Sequence, residues 1–110
     1  MRNLYGSVKN WAQLLKEAHT TLKPGGILEC YESSPSIESD DNSIPPESCM
    51  AKWGPMYIKA GKSTGRTFQV LEHSIIETYL RNMGMEIISI HNSKVKLLMN
   101  SWRIKIWLYK

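Results

Sequence analysis

The sequence contains only two cysteines, and it has no apolar run long enough to cross a membrane. Two cysteines are too few for a disulfide framework, and a membrane-spanning helix needs about 18 or more consecutive apolar residues. The first residues also lack the apolar stretch and the small-residue cleavage site of a secretory signal. These absences exclude a disulfide-stabilised module and a membrane-spanning helix. They favour an intracellular protein, in the cytoplasm or the nucleus.

Recognisable metal-binding and nucleophile motifs are missing as well. The three histidines lie far apart, and neither a CxxC nor an HxxxH pattern occurs, so the sequence predicts no metal site. Cys30 is predicted to be a small buried hydrophobic residue, and Cys49 to be exposed after a proline-rich loop. Neither has a visible activating neighbour, and no catalytic residue is assigned.

Charge is unevenly distributed along the chain. Five acidic residues and no Lys or Arg lie between Glu32 and Ser48, whereas ten basic and three acidic residues follow from Lys52 to Lys110. The C-terminal cations interleave with aromatic residues, the set being Lys94, Lys96, Trp102, Arg103, Lys105, Trp107, Tyr109 and Lys110. This pattern is compatible with single-stranded nucleic-acid binding by stacking and phosphate contact. The favoured interpretation is an edge strand protected by lysines, with aromatic side chains that pack.

A length of 110 residues allows one core and therefore one domain. Apolar residues at spacings of three and four predict a helix over 7–22, with Ser7 as its N-cap. The sequence Lys23-Pro24-Gly25-Gly26 ends that helix, and residues 27–32 are then predicted to form a buried strand. Residues 33–48 are predicted to be a loop because Ser, Pro, Asp and Asn dominate them.

The second half predicts two further helices and a hairpin. The helices are expected around 48–61 and 70–83, with a connector at 61–66 and with Gly84 ending the second helix. Strands are expected at 86–91, 94–98 and 102–109, with a turn near Asn100-Ser101. This order predicts an α/β fold with a mostly parallel sheet and an antiparallel C-terminal hairpin. The first element is a helix with no strand before it, so the chain is expected to start in mid-fold.

The position and chemistry of two polar residues make them candidate site residues. Glu32 is expected at the carboxyl end of a strand, where open α/β sheets hold ligands. Arg66 follows Gly65 and has a guanidinium suited to an anion or a carboxylate. The alternatives are a solvated carboxylate at a loop entry and an ordinary surface arginine.

Several ordered motifs resemble a known family. They are Arg2-x-Leu4-x-Gly6-Ser7-Val8-x-x-Trp11, then Leu22-Lys23-Pro24-Gly25-Gly26-Ile27-Leu28-Glu29, then Glu32, then Asp40-Asp41. This set resembles the fungal LaeA-like class I S-adenosylmethionine-dependent methyltransferases, whose pattern is R-x-L-x-G-S-I-x-D-W, L-K-P-G-G-x-x-E and D-D-G. The chain departs from the pattern at Asn10, Asn42 and Ser101, where the family has Asp, Gly and Pro.

The resemblance implies a partial Rossmann-like sheet and S-adenosylmethionine as cofactor. That family holds the cofactor on an earlier glycine-rich turn, and this sequence contains no GxGxG. We therefore expect one partial methyltransferase domain over 1–110, without the N-terminal cofactor-binding half and with 33–66 as an insertion region. By the same resemblance, Arg2 and Tyr5 are expected at the cofactor, and Glu32, Trp53 and Arg66 at the methyl acceptor. Trp11 and Trp102 are instead expected to pack in the core.

Binding of S-adenosylmethionine by this chain alone is doubtful on these grounds, and the isolated chain is expected to be inactive. One alternative is a protein-interaction module, because an incomplete sheet exposes a strand edge that could bind a partner or a second copy. Nucleic-acid binding through the basic aromatic hairpin is the less favoured alternative. No membrane partner is expected.

Overall fold

The computed structural model describes residues 1–96 and 100–109, with side chains over residues 1–93. This part of the chain is a mixed α/β structure. In chain order its elements are α1 (Trp11–Thr21), β1 (Ile27–Glu38), α2 (Cys49–Thr64), α3 (Ile75–Asn82), β2 (Glu86–Lys96) and β3 (Asn100–Tyr109). None of the helices in the described ranges has the length and apolar character that crossing a membrane requires.

Local capping chemistry sets the ends of the helices. The Asn10 side chain accepts a hydrogen bond from the Gln13 backbone N–H at 3.0 Å and caps α1. The predicted N-cap, Ser7, is wrong, because α1 begins only at Trp11 and Ser7 lies in a preceding turn, where its N–H donates to the Leu4 carbonyl. Glycines at positive φ follow the helices as predicted, with φ of 81° at Gly25 and 82° at Gly84.

All three helices of the described residues differ from their predicted spans, and α1 covers Trp11–Thr21 instead of 7–22. Helix α2 continues to Thr64 and ends at Gly65, whose φ is 67°, so the predicted connector at 61–66 is largely helical. Helix α3 begins only at Ile75, whose N–H donates to the Val70 carbonyl at 3.1 Å. That bond closes a turn over 70–74, where the apolar spacing alone had favoured helix.

The sheet has the order β1-β3-β2, and β3 is antiparallel to both of its neighbours. The antiparallel C-terminal hairpin is therefore confirmed. The mostly parallel sheet is wrong for the described residues, in which parallel pairing is limited to a bridge between Arg2 and Tyr31. Strands β1 and β2 do run in the same direction, because each is antiparallel to the strand between them.

The hairpin is longer than the sequence indicated. Asn100 and Ser101 are strand residues that pair with Lys96 and Val95, so the turn predicted at this position is wrong. Asn and Ser favour turns locally, but cross-strand pairing overrides that preference here. Residues 97–99, which belong to the predicted strand and turn region, lie outside the described residues.

Strand β1 extends to Glu38 through a segment that composition predicted to be a loop. Pairing with β3 resumes at Ile37 and Glu38 after a register shift that begins at Ser33. Pro35 lies in this irregular stretch, where a residue without an N–H is tolerated. Glu32 is thus in the middle of a strand rather than at its end.

The core joins α1, α3 and the first part of β1. Its buried members are Trp11, Leu15, Cys30, Val70, Ile76, Leu80 and Met85. The predicted burial of Trp11 and Cys30 is confirmed, and so is the exposure of Cys49. The side chains of Trp102 and of the basic aromatic hairpin lie outside the described residues.

Candidate functional site

A cavity of about 290 Å³ lies between the N-terminal segment, β1, α2 and the loop that follows α2. Four of its six lining residues are aromatic. The lining residues are Asn3, Tyr5, Pro35, Trp53, Tyr57 and Phe68, and we call the cavity the aromatic pocket.

The aromatic rings form one connected wall. The ring centroids of Trp53 and Tyr57 are 5.1 Å apart with a tilt of 56°, and those of Tyr57 and Phe68 are 5.3 Å apart with a tilt of 52°. Tyr5 meets Phe68 at 6.0 Å in an edge-on arrangement. These separations and tilts are the ones that aromatic pairs favour, so each ring holds the next in place.

Two glycines hold Phe68 between them. A Cβ atom on Gly6 would overlap the Phe68 ring, and a Cβ on Gly61 would approach the ring to 2.8 Å. The Gly6 N–H also donates to the carbonyl of Thr67 at 2.8 Å. Gly6, with φ of 71°, thereby fastens the N-terminal segment to the loop that contains Phe68.

A third glycine brings α2 close to β1. A Cβ on Gly54 would lie 3.0 Å from the Ser36 Cα, so only glycine allows this approach without movement. The close approach places Trp53 and Tyr57 opposite Pro35 across the pocket. Ser48 starts the helix, since its side chain accepts the Ala51 N–H at 3.2 Å.

Glu32 is a buried carboxylate directly behind the pocket, with 1% of its surface exposed. Its two oxygens accept the Leu4 N–H at 3.0 and 2.9 Å, and one of them accepts the Tyr5 N–H at 3.0 Å. Burial raises the pKa of Glu32, although these backbone bonds favour the ionised form. The alternative of a solvated carboxylate is wrong. Glu32 contacts the pocket through the backbone of Tyr5.

The five predicted site residues are only partly brought together. Tyr5 and Trp53 line the same pocket, and Glu32 holds the Tyr5 backbone. Arg2 is exposed, and its guanidinium lies 3.6 Å from the Glu29 carboxylate. Arg66 lines a separate hollow of about 350 Å³ that shares Phe68 with the aromatic pocket. The roles assigned to these residues stay predictions.

Sequence reasoning missed four of the lining residues. Tyr57 lies four residues after Trp53 on α2, a spacing that places both on one helix face. Phe68 is the only phenylalanine in the chain and lies in a connector without periodicity. Asn3 and Pro35 carry no signal of their own, because only the folded chain brings them to this pocket.

A larger hollow of about 680 Å³ lies beside the acidic loop. Here Asp41 accepts hydrogen bonds from the Ser39 hydroxyl and the Ser43 backbone, and these bonds lower the pKa of Asp41 to about 2. Within the described ranges, no group of three or more His, Cys, Asp or Glu residues is placed to hold a metal ion.

The sequence relatives give the class of protein. The chain belongs to the fungal methyltransferase-like proteins, as its motifs predicted. It is 33% identical to the methyltransferase pytC of Aspergillus terreus over 101 residues, which cover 92% of this chain and 30% of that protein.

Two other relatives support the same class of protein. The probable methyltransferase tdiE of Emericella nidulans is 31% identical over 82% of the chain, and the secondary metabolism regulator LAE1 of Cochliobolus heterostrophus is 30% identical over 93%. The chain spans 27% and 32% of the lengths of these two relatives. No protein-family model and no solved structure matches the chain.

Proposed function

We propose that this chain is the acceptor-side part of an S-adenosylmethionine-dependent methyltransferase, and that the aromatic pocket is where the methyl acceptor binds. The observation behind the proposal is that Tyr5, expected at the cofactor, and Trp53, expected at the acceptor, line one cavity. Methyl transfer from a sulfonium requires in-line alignment of donor and acceptor more than a set of catalytic side chains. A preformed cavity at the junction of the two sites meets that requirement.

The strand arrangement supports a partial Rossmann-like sheet. Strands β1 and β2 run in the same direction and β3 is inserted between them in the opposite direction. Such a sheet end agrees with the class I methyltransferase resemblance, in which β1 corresponds to the fifth strand.

The described residues do not fit a complete S-adenosylmethionine site. The Glu32 carboxylate accepts backbone N–H groups, so it is not free to bind ribose hydroxyls. Arg2 pairs with Glu29, and no glycine-rich turn leads from a strand into a helix in the described ranges. We therefore propose that the isolated chain does not transfer methyl groups.

The test is an assay for release of S-adenosylhomocysteine by the purified chain, together with thermal melts in the presence and absence of S-adenosylhomocysteine. We expect no turnover and no rise in melting temperature, because a ligand stabilises only a protein that binds it. The methyltransferase pytC is the matched positive control. Turnover by the isolated chain would contradict the proposal.

A second candidate function is binding of a partner strand at the outer edge of β1. Residues 1–3 already run beside this edge, with the Asn3 N–H donating to the Tyr31 carbonyl at 2.8 Å and the Tyr31 N–H donating to the Met1 carbonyl at 3.0 Å. Ile27, at the start of the same strand, is 53% exposed. Residues 1–3 therefore cover part of this edge, and a strand of a protein partner or a second copy would pair at the start of β1, near Ile27. Light scattering across a concentration series tests this candidate, and a monomer at every concentration argues against self-association.

We place the functioning protein inside the cell, in the cytoplasm or nucleus, because an enzyme of this class needs a cellular supply of its cofactor. Nucleic-acid binding through the C-terminal hairpin stays the less favoured alternative. It predicts an affinity that falls steeply as salt rises, since phosphate contacts release counterions.

A further inference from the structure

We infer that the aromatic pocket binds a flat, uncharged aromatic ring that carries a hydrogen-bonding substituent, as in a phenol or an indole. This inference rests on the proposed function for its biological meaning, because the ring would then belong to the methyl acceptor. The binding itself can be measured without cofactor or turnover.

The shape of the pocket favours a flat ligand. Its walls are ring surfaces tilted by 52° to 72° from one another, and the volume of about 290 Å³ is at the small end for ligand sites. Gly6 and Gly61 confine the Phe68 ring, so this wall is formed before a ligand arrives. Because these side chains are already ordered, ligand binding loses little side-chain entropy.

Trp53 has exposed apolar surface at the pocket that a bound ligand would bury. It is 46% exposed, although its ring already contacts Tyr57 at a centroid distance of 5.1 Å. A ring stacked on the indole would bury the open surface and add an aromatic pair to the existing wall.

Charge argues against a cationic ligand, which aromatic walls could otherwise attract. None of the six lining residues is acidic. The Glu32 carboxylate, which bonds the backbone of the lining residue Tyr5, is occupied by backbone N–H groups. Helix α2 contributes Lys52, Lys59 and Lys62 and no acidic residue, and of these Lys52 is paired with Glu47 at 2.9 Å. The lysines oppose a cation, and the lining contains no basic residue to pair with an anion, so the pocket favours a neutral ring.

Polar groups at the lining account for the substituent. Asn3 supplies a side-chain amide and Tyr5 a phenolic hydroxyl, each able to donate and to accept. Both residues are positioned by their backbones, since the Asn3 N–H bonds to Tyr31 and the Tyr5 N–H bonds to Glu32. A few polar groups beside an apolar wall are the usual means of orienting a bound ring.

The test is titration of the 110-residue chain with 2-naphthol, followed by NMR shifts of the Trp53 indole N–H and by calorimetry. The comparison probes are decahydro-2-naphthol, which is saturated and not flat, and tetramethylammonium, which is a cation. We expect 2-naphthol to bind about tenfold more tightly than its saturated analogue, the size of one aromatic pair. We expect no competition from tetramethylammonium.

Variants locate the binding in the pocket. Trp53→Leu removes the flat surface and should weaken 2-naphthol binding about tenfold, whereas Trp53→Phe keeps a ring and should stay close to the original affinity. Met56→Ala is the matched control, because Met56 lies on the same helix, is 54% exposed and is outside the lining. Equal binding of the saturated probe, tighter binding of the cation, or unchanged affinity in Trp53→Leu would each overturn the inference.

Failure of this inference and failure of the proposed function give different results. Release of S-adenosylhomocysteine by the isolated chain contradicts its proposed inactivity and leaves the ring specificity intact. Absence of 2-naphthol binding contradicts the inference and leaves the methyltransferase assignment intact.

Discussion

Glu32 acts on its surroundings through the backbone of residues almost thirty positions away. Its burial is unfavourable to the charge, and three hydrogen bonds from Leu4 and Tyr5 offset only part of that cost. Because these bonds position the N-terminal segment, the Tyr5 ring depends on Glu32 for its place in the aromatic pocket.

Replacing Glu32 should therefore reduce stability in a graded way. Glu32→Ala leaves two N–H groups without their acceptor and should lower the free energy of unfolding by about 2–3 kcal/mol. Glu32→Gln keeps one acceptor oxygen and should cost about 1 kcal/mol. Chemical denaturation measures both. Glu47→Gln, at an exposed ion pair, is the control and should change stability little. Equal effects of the Ala and Gln variants would contradict this role.

The raised pKa of Glu32 also predicts a pH dependence. Between the unfolded pKa near 4.5 and the higher folded value, the folded chain binds more protons than the unfolded chain. The contribution of Glu32 to the free energy of unfolding is therefore fully present below the unfolded pKa. It is lost as pH rises through the folded pKa. Unfolding curves of the natural chain and of Glu32→Gln over a pH series isolate this contribution. If the natural chain instead becomes more stable relative to Glu32→Gln as pH rises, the backbone hydrogen bonds outweigh burial.

Close packing through glycine joins the elements around the aromatic pocket. Gly6 and Gly61 confine Phe68, and Gly54 brings α2 against β1. The helix itself was predictable from capping and apolar spacing, whereas its approach to β1 was not. The reason is that nothing near Gly54 in sequence indicates that Ser36 will lie against it.

Gly6 and Gly65 form a matched pair for testing this packing. Both have positive φ, but an added Cβ meets the Phe68 ring only at Gly6 and open space at Gly65. Gly65→Ala should cost about 1 kcal/mol from backbone strain alone. Gly6→Ala should cost a further 1–3 kcal/mol or so from overpacking. Thermal and denaturant unfolding of the two variants give the difference, and equal losses would show that Phe68 moves aside freely.

For the molecule as a whole, the two cysteines report on different parts of the structure. Cys30 is 1% exposed in the core, and burial raises its pKa to about 12. Cys49 is exposed at the start of α2. The thiolate is the reactive form, so a buried thiol with a raised pKa reacts slowly.

Labelling with a maleimide should therefore modify Cys49 rapidly and leave Cys30 protected in the native protein. In denaturant both thiols should react, and the protection of Cys30 should be lost over the same denaturant range as the fluorescence signal. Cys49→Ser is the control, because it removes the fast reaction alone. Loss of Cys30 protection well before the fluorescence transition would show that the sheet opens independently of the rest of the core.

Local features of the chain were enough to predict the class of protein, most of the helices and strands, the glycines that follow α1 and α3, and the burial of Trp11 and Cys30. These features depend on local spacing, on capping residues and on ordered motifs that are visible in one dimension. Three features became visible only in the folded chain: β1 continues to Glu38, Glu32 binds the N-terminal backbone, and Phe68 completes an aromatic wall. Each of these rests on contacts between residues far apart in sequence, and a local pattern contains no information about which distant backbone groups or rings will meet.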